Sequence, residues 1–162
     1  MQSKDKPSVV VIGIGNILCS DEGVGVHAVR ELERMKLTPN VGVFDCGTSG
    51  IAVLEAMDGA DKAIIVDAVS SGGKPGTVSL YTIDDLEKIE DRLLKLVSLH
   101  QLDFIATLRL AKLTNVYRIP CEVIIIGVEA KSLECSTELS NEVRKAVPKV
   151  IEAIIHEIDV LG

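Results

Sequence analysis

Val9-Val-Val-Ile-Gly-Ile-Gly-Asn16 decides the fold. Four β-branched residues, Val9 to Ile12, run straight into a Gly-Ile-Gly-Asn turn. A continuous apolar run reads as a strand buried on both faces, the habit of a parallel sheet covered by helices. Gly13 and Gly15 serve a tight strand-to-helix turn. Beyond it, Ser20 or Asp21 can cap a helix running to about Lys36, with Val26, Val29 and Leu32 on one face. Strand, turn and helix in that order open an α/β domain.

The remaining elements continue the alternation. Val41 to Phe44 is a short second strand, Gly50 to Met57 is helical, and Lys62 to Val66 is a third strand ending at Asp67. Ser70-Ser-Gly-Gly-Lys-Pro-Gly76 is a loop, and Thr77 to Thr82 alternates like a strand. A parallel crossover needs about a dozen residues or more, so this fourth strand should run antiparallel to the rest. Asp84 to Leu96 is amphipathic and charged, a broken helix. His100 to Lys112 is a helix with Ile105, Leu108 and Ala111 inward, and Cys121 to Gly127 is a fifth strand. Ser140 can cap a last helix to about Leu161, striped by Val143, Val147, Val150, Ile151, Ile154, Ile155 and Ile158. Pro148 interrupts its hydrogen bonding. The sum is one doubly wound α/β domain over residues 1–162 with about five strands.

The composition agrees and excludes other classes. The chain has 162 residues, 47% hydrophobic but only 2% aromatic, so Val, Ile, Leu and Ala must build the core. Its formal net charge of -7, without a basic run carrying aromatics, argues against nucleic acid as partner. None of the four cysteines forms a C-x-x-C pair, which suits a reducing compartment and argues against a zinc knuckle. No stretch approaches the roughly 18 apolar residues of a membrane span. A cytoplasmic monomer is the expectation.

In such sheets, ligands bind beyond the carboxyl ends of the parallel strands. Gly13, Gly15, Asn16, Asp21 and Glu22 follow the first strand; Asp45, Gly47, Thr48 and Gly50 follow the second; Asp67 follows the third. Ser98-Leu-His-Gln101 precedes the later helix. Four acids and His100 should therefore meet on one rim. Carboxylates with a neutral imidazole form a ligand set for Zn, Ni, Co or Mn, and three such ligands leave a position open for substrate. Singly, each has an ordinary explanation: Glu22 complementing a helix dipole, Asp45 and Asp67 holding turns, His100 opening a helix. Their joint placement carries the argument. His27 and His156 read as surface histidines, and Cys19 and Cys46 as small fillers. Gly13-Ile-Gly-Asn-Ile-Leu18 begins like a dinucleotide fingerprint, but Leu18 replaces the third glycine and Asp21 and Glu22 would repel a pyrophosphate. No G-x-S-x-G elbow is present.

Gly13-Ile-Gly-Asn-Ile-Leu-Cys-Ser-Asp-Glu-Gly-Val-Gly25 resembles the opening signature of the hydrogenase maturation proteases. Asp45-Cys-Gly-Thr-Ser-Gly50, Val66-Asp-Ala68 and Ser98-Leu-His-Gln-Leu102 resemble their later motifs, in the same order and with similar spacing. Leu99 stands where the family usually has proline, and Cys46 where glycine is commoner and where it adds a possible soft donor. The resemblance implies a three-layer α/β/α sandwich on a five-stranded mixed sheet with one antiparallel strand. It implies an endopeptidase, metal-dependent or aspartyl-type, that removes the C-terminal extension of a nickel-loaded [NiFe] hydrogenase large-subunit precursor. Glu22, Asp67 and His100 would contact the nickel, which arrives with the precursor, and other divalent ions can fill such a site. Asp45 would be the accompanying catalytic carboxylate. Loops 46–50 and 70–76 are Gly-rich and could move to admit a protein chain. The same ligands would serve a non-cleaving nickel-sensing scaffold, separated from a protease by whether product forms.

Overall fold

The computed structural model describes residues 6–85 and 99–160, with only the backbone for 99–103 and Ile105. In chain order the elements are β1 (Val9–Ile14), a 3₁₀ turn (Ser20–Gly23), α1 (Val24–Glu33), β2 (Val41–Gly47), α2 (Gly50–Met57), β3 (Lys62–Val69), β4 (Val78–Thr82), α3 (Leu99–Thr114), β5 (Glu122–Glu129) and α4 (Asn141–Asp159). The expected charged helix at 84–96 lies outside the described residues beyond Asp85.

One sheet of five strands forms in the order β2-β1-β3-β5-β4. β1 pairs in parallel with β2 and β3, β3 in parallel with β5, and β4 antiparallel with β5. The short loop before β4 has the effect expected of it. Side-chain alternation divides the core between the two faces. Val9, Val11, Ile64, Val66, Ile126 and Val128 meet α1 and α4 on one face. Val10, Ile12, Ile14, Ala63, Ile65 and Ile125 meet α2 and α3 on the other. These are the three layers of an α/β/α sandwich. Burying each Val or Ile contributes about 1.5–3 kcal/mol, so the continuous apolar runs are what hold the layers together.

Several boundaries differ from those expected. β3 runs on to Val69 and β5 to Glu129, because Asp67 pairs with Gly127 and the ladder continues past it. The helix expected from Ser20 splits into the 3₁₀ turn and α1, and neither Ser20 nor Asp21 caps α1, which starts from Gly23 without a side-chain cap. Its last residues close tight turns instead, Arg34 N–H on Glu31 and Met35 N–H on Leu32. On α3, Phe104 joins Leu108 and Ala111 in the core, while the Ile105 side chain lies outside the described residues. Ser140 caps α4, its Oγ accepting from Val143 N at 3.4 Å.

A carboxylate site at the strand-order switch

The connection from β1 leads to β2 on one side, while β3 lies on the other. The strand order therefore reverses between β1 and β3, and a crevice at the carboxyl ends is the usual result. Two of the expected site residues straddle that point. Glu22 lies on the 3₁₀ turn after β1, and this turn packs against β3. Asp67 lies in β3, 3% exposed, with Oδ1 accepting from Ala68 N at 2.8 Å. Its neighbours Ala63 and Ile65 face α2 and α3, so alternation directs Asp67 to that side of the sheet. His100 is the second residue of α3. α3 leads into the start of β5, so its first turn lies at the carboxyl rim. The His100 side chain lies outside the described residues, as does Ser98.

Close backbone contacts hold the turn that carries Glu22. A Cβ on Gly15, whose φ is +135°, would fall 1.8 Å from the Glu22 carbonyl oxygen. A Cβ on Gly25 would fall 2.2 Å from the Val66 carbonyl oxygen, one residue before Asp67. Glycine at both places is what lets the Glu22 turn lie directly on β1 and β3. The Cys19 thiol beside it is pushed up by burial and then by the Glu22 carboxylate.

Asp45 stands apart. It occupies the row Asp45–Gly13–Val66 across β2, β1 and β3, and Val41 and Val43 before it pack on the α1 side. Asp45 therefore faces α1, on the opposite side of the sheet from Asp67. Both of its oxygens are engaged: Oδ1 accepts from Gly47 N at 3.1 Å and Oδ2 from Arg30 Nη2 at 3.1 Å. With Asn16, Arg30 and Thr48 it lines a recess of about 260 Å³. On the rim where the four acids are expected, Asp45 is thus paired with Arg30 on the α1 side, and Asp67 faces the other side of the sheet.

Asp21 leaves the site altogether. It is 0% exposed. Its Oδ2 accepts from Lys131 N, Ser132 N and Ser140 Oγ at 2.8, 3.0 and 2.9 Å, and its Oδ1 from Ser140 N at 2.7 Å. It ties the 131–140 loop to the Glu22 turn. Ser20 helps, with φ at +50° and Oγ donating to Glu138 O at 3.0 Å.

Three further residues or segments of the expected surroundings take definite places. Cys46 is a small core filler, as expected: burial, then the Asp45 and Glu55 charges, push its thiol up to about 11. His27 is no ordinary surface histidine: it is half-buried against α4, and its Nε2 is buried without a hydrogen-bond partner. Loop 70–76 is tethered, because Glu129, 5% exposed, accepts from Ser71 N, Gly72 N and Gly73 N at 2.9, 3.0 and 3.2 Å and from Ser71 Oγ at 2.5 Å.

Among the described residues no three His, Cys, Asp or Glu side chains are grouped to hold a metal. Glu22 and Asp67 carry the hard oxygen donors that a divalent ion would use, and a third ligand would have to come from elsewhere on the rim, which is where α3 begins. The donor set suits a divalent ion that brings its other ligands with it. Among the described residues no helix is long and apolar enough to cross a membrane.

Residues 26–157 match the family model described as hydrogenase maturation protease. The hydrogenase expression/formation protein HoxM of Azotobacter vinelandii is 38% identical over 79% of this chain. That alignment spans 60% of HoxM, and the same share of HupM from Azotobacter chroococcum, so the chain covers under two thirds of these two relatives. A putative hydrogenase maturation protease of Methanocaldococcus jannaschii is 34% identical over 94% of this chain and 97% of its own. The hydrogenase maturating endopeptidase HybD of Escherichia coli superposes with a TM-score of 0.83, 30% identity, and coverage of 95% of this chain and 93% of its own. The family match and the fold together place this chain in the hydrogenase maturation protease family.

Proposed function

We propose that this protein is an endopeptidase that removes the C-terminal extension of a [NiFe] hydrogenase large-subunit precursor after nickel has been inserted. The observation that carries this is the packing of the Glu22 turn on β3 beside the buried Asp67, at the point where the strand order reverses. The relative from Escherichia coli is itself described as a hydrogenase maturating endopeptidase. Family membership and the acidic side chains of Glu22, Asp45 and Asp67 at the carboxyl rim support the same reading.

Nickel belongs to the substrate here. Bound to the precursor, it would supply Lewis-acid polarisation and a point of recognition. Glu22, Asp67 and His100 would contact it and fix the precursor relative to the rim. Positioning of that kind can supply a large part of the barrier reduction. The backbones that carry the two carboxylates pass close to Gly15 and Gly25, where a Cβ would fall 1.8 Å from the Glu22 carbonyl oxygen and 2.2 Å from that of Val66. Asp45, oriented by Arg30 and by the Gly47 N–H, adds negative charge at a second point on the rim and is the candidate to orient the attacking water.

His100→Ala and Asp67→Asn, mixed with nickel-loaded precursor and followed by intact mass, test the assignment. Each should abolish loss of the C-terminal peptide while the variant stays folded. Full activity in either would remove that residue from the role. Binding of loaded precursor by the unaltered protein, with no mass loss, would favour a non-cleaving nickel-sensing scaffold.

A further inference from the structure

Cys19 precedes the turn that carries Glu22, and Cys135 stands on the loop that packs against that turn. Both are free thiols, Cys19 half-buried and Cys135 exposed. Their spacing in sequence hides their nearness. β1 and β5 each run parallel to β3, so the connections that follow them both leave at the carboxyl rim. There a parallel bridge joins Cys19 to Ser136. Ser136 N donates to Leu18 O at 3.0 Å, and Ser20 N to Ser136 O at 2.7 Å. Paired backbones lie about 4.8 Å apart and advance about 3.3 Å per residue, which puts the Cα of Cys135, one residue before Ser136, about 6 Å from that of Cys19. Disulfides span Cα separations of about 4.4–6.8 Å.

The other two cysteines are placed differently. Cys46 is buried in the layer under α2 and α3. Cys121 precedes the eight residues of β5, so it lies about 26 Å from the rim along the strand.

The frame around Cys19 and Cys135 is fixed. The Asp21 carboxylate holds Lys131, Ser132 and Ser140, and Ser20 Oγ holds Glu138 O. The two backbones are thus kept at a separation that a disulfide spans before any oxidant arrives, which favours closure over intermolecular reaction. Cys19 is also tied to the carboxylate site. Burial, then the Glu22 charge and then Cys135, push its thiol up, and the thiol donates a hydrogen bond to the Glu22 side chain.

We infer that Cys19 and Cys135 are a redox-sensing dithiol, whose closure to a disulfide takes the thiol partner from Glu22 and stops processing of the precursor. The second half rests on the protease reading above. The oxidant is a low-molecular-weight disulfide such as oxidised glutathione. The exposed Cys135 attacks one of its sulfurs as the thiolate, forming a mixed disulfide and releasing one glutathione thiolate. Cys19 then attacks the Cys135 sulfur as the thiolate and expels the second. Two protein thiols are oxidised, one glutathione disulfide is reduced, and the two protons the protein loses go to the departing thiolates. The Cys19 sulfur then has no proton to donate to Glu22. In a reducing compartment such a pair stays open and records the arrival of oxidant.

The test treats the reduced chain with oxidised glutathione, removes the glutathione, and divides the sample between alkylation with peptide mapping and cleavage of nickel-loaded precursor. The map should show a peptide linking Cys19 to Cys135, with the intact chain lighter by two hydrogens. Cleavage by the oxidised chain should fall about tenfold or more and return after treatment with a dithiol reductant. Cys135→Ser should form no link and keep its cleavage rate through the same treatment, with thermal unfolding close to that of the unaltered chain. Cys121→Ser should link and lose activity as the unaltered chain does. Glutathione left on Cys135 without the link, or a link to Cys121, would overturn the dithiol. A complete Cys19–Cys135 link with cleavage unchanged, or an equal loss in Cys135→Ser, would overturn the switch. If the reduced chain cuts no loaded precursor, the protease reading and the switch fall together, and the map still decides the dithiol.

Discussion

Asp21 accepts both the backbone N–H and the side-chain hydroxyl of Ser140, at 2.7 and 2.9 Å, across 119 residues of chain. The same carboxylate collects the N–H groups of Lys131 and Ser132, so one buried acid organises the turn that carries Glu22, the 131–140 loop and the cap of α4. Removing a partner from such a site leaves several buried donors unsatisfied. Asp21→Ala is expected to destabilise by about 3 kcal/mol or more. Urea unfolding monitored by circular dichroism measures it; a loss under about 0.5 kcal/mol would mean that the loop rearranges at no expense.

Gly25 and Gly47 should respond differently to alanine. At Gly25 a Cβ would press on the Val66 and Ile14 carbonyl oxygens at 2.2 and 2.4 Å, with no flexible side chain able to yield. Gly25→Ala is expected to cost about 2 kcal/mol or more and to lift the Glu22 turn from β3. At Gly47, with φ at +50°, nothing lies within 4 Å, and only backbone strain of about 1 kcal/mol should appear. Equal losses at the two positions would contradict the packing described for the turn.

Lys62 is the largest fully buried side chain among the described residues, with Nζ 2.8 Å from Glu157 Oε2 and 3.0 Å from Glu122 Oε1. Burial acts to lower its pKa, but the hydrogen bonds and charges of Glu157 and Glu122 overcome this and hold it above the ordinary value. A raised folded-state pKa gives stability that is complete below about pH 10.4 and lost as pH rises beyond it. Lys62→Ala should cost about 3–5 kcal/mol, and Lys62→Met clearly less, because Met keeps the packed stem. Lys62→Met should also lose less stability between pH 10 and 11.5 than the unaltered chain, an outcome that paired pH-dependent melts read directly.

His27 gives the opposite dependence. Burial, then the Arg30 and Arg144 charges, lower its pKa, while Glu31 and a hydrogen bond to the Thr137 backbone act against them. A depressed folded-state pKa means stability present above about pH 6.5 and lost as pH falls below it. His27→Leu should flatten the stability profile between pH 7 and 5, with the other ionisable groups intact. An unchanged acid slope would show that the imidazole reaches water on both nitrogens.

Much of this architecture was legible because the two sheet faces are written as apolar runs. Val9–Ile12, Lys62–Val66 and Cys121–Gly127 each contain the residues that fill both layers, and the short loop at 70–76 fixed the direction of β4. Charged residues misled where tertiary partners decide their role. Asp21 resembled a helix cap because its partners lie 110 to 119 residues away. Asp67 seemed to end a strand because an acid after Val66 looks like a turn, whereas Gly127 opposite leaves the ladder room to continue. Asp45 and Asp67 follow apolar runs of similar kind, and only the register between strands puts them on opposite faces. His27 looked solvated because the helix that covers it begins more than a hundred residues later.

Incubating the purified chain with nickel-loaded and with nickel-free hydrogenase large-subunit precursor, and recording intact mass over time, tests the proposed function most directly. The expected result is loss of a short C-terminal peptide from the loaded precursor alone, abolished by Asp67→Asn. Cleavage of both forms at equal rates, or of neither while the loaded form binds, would contradict it.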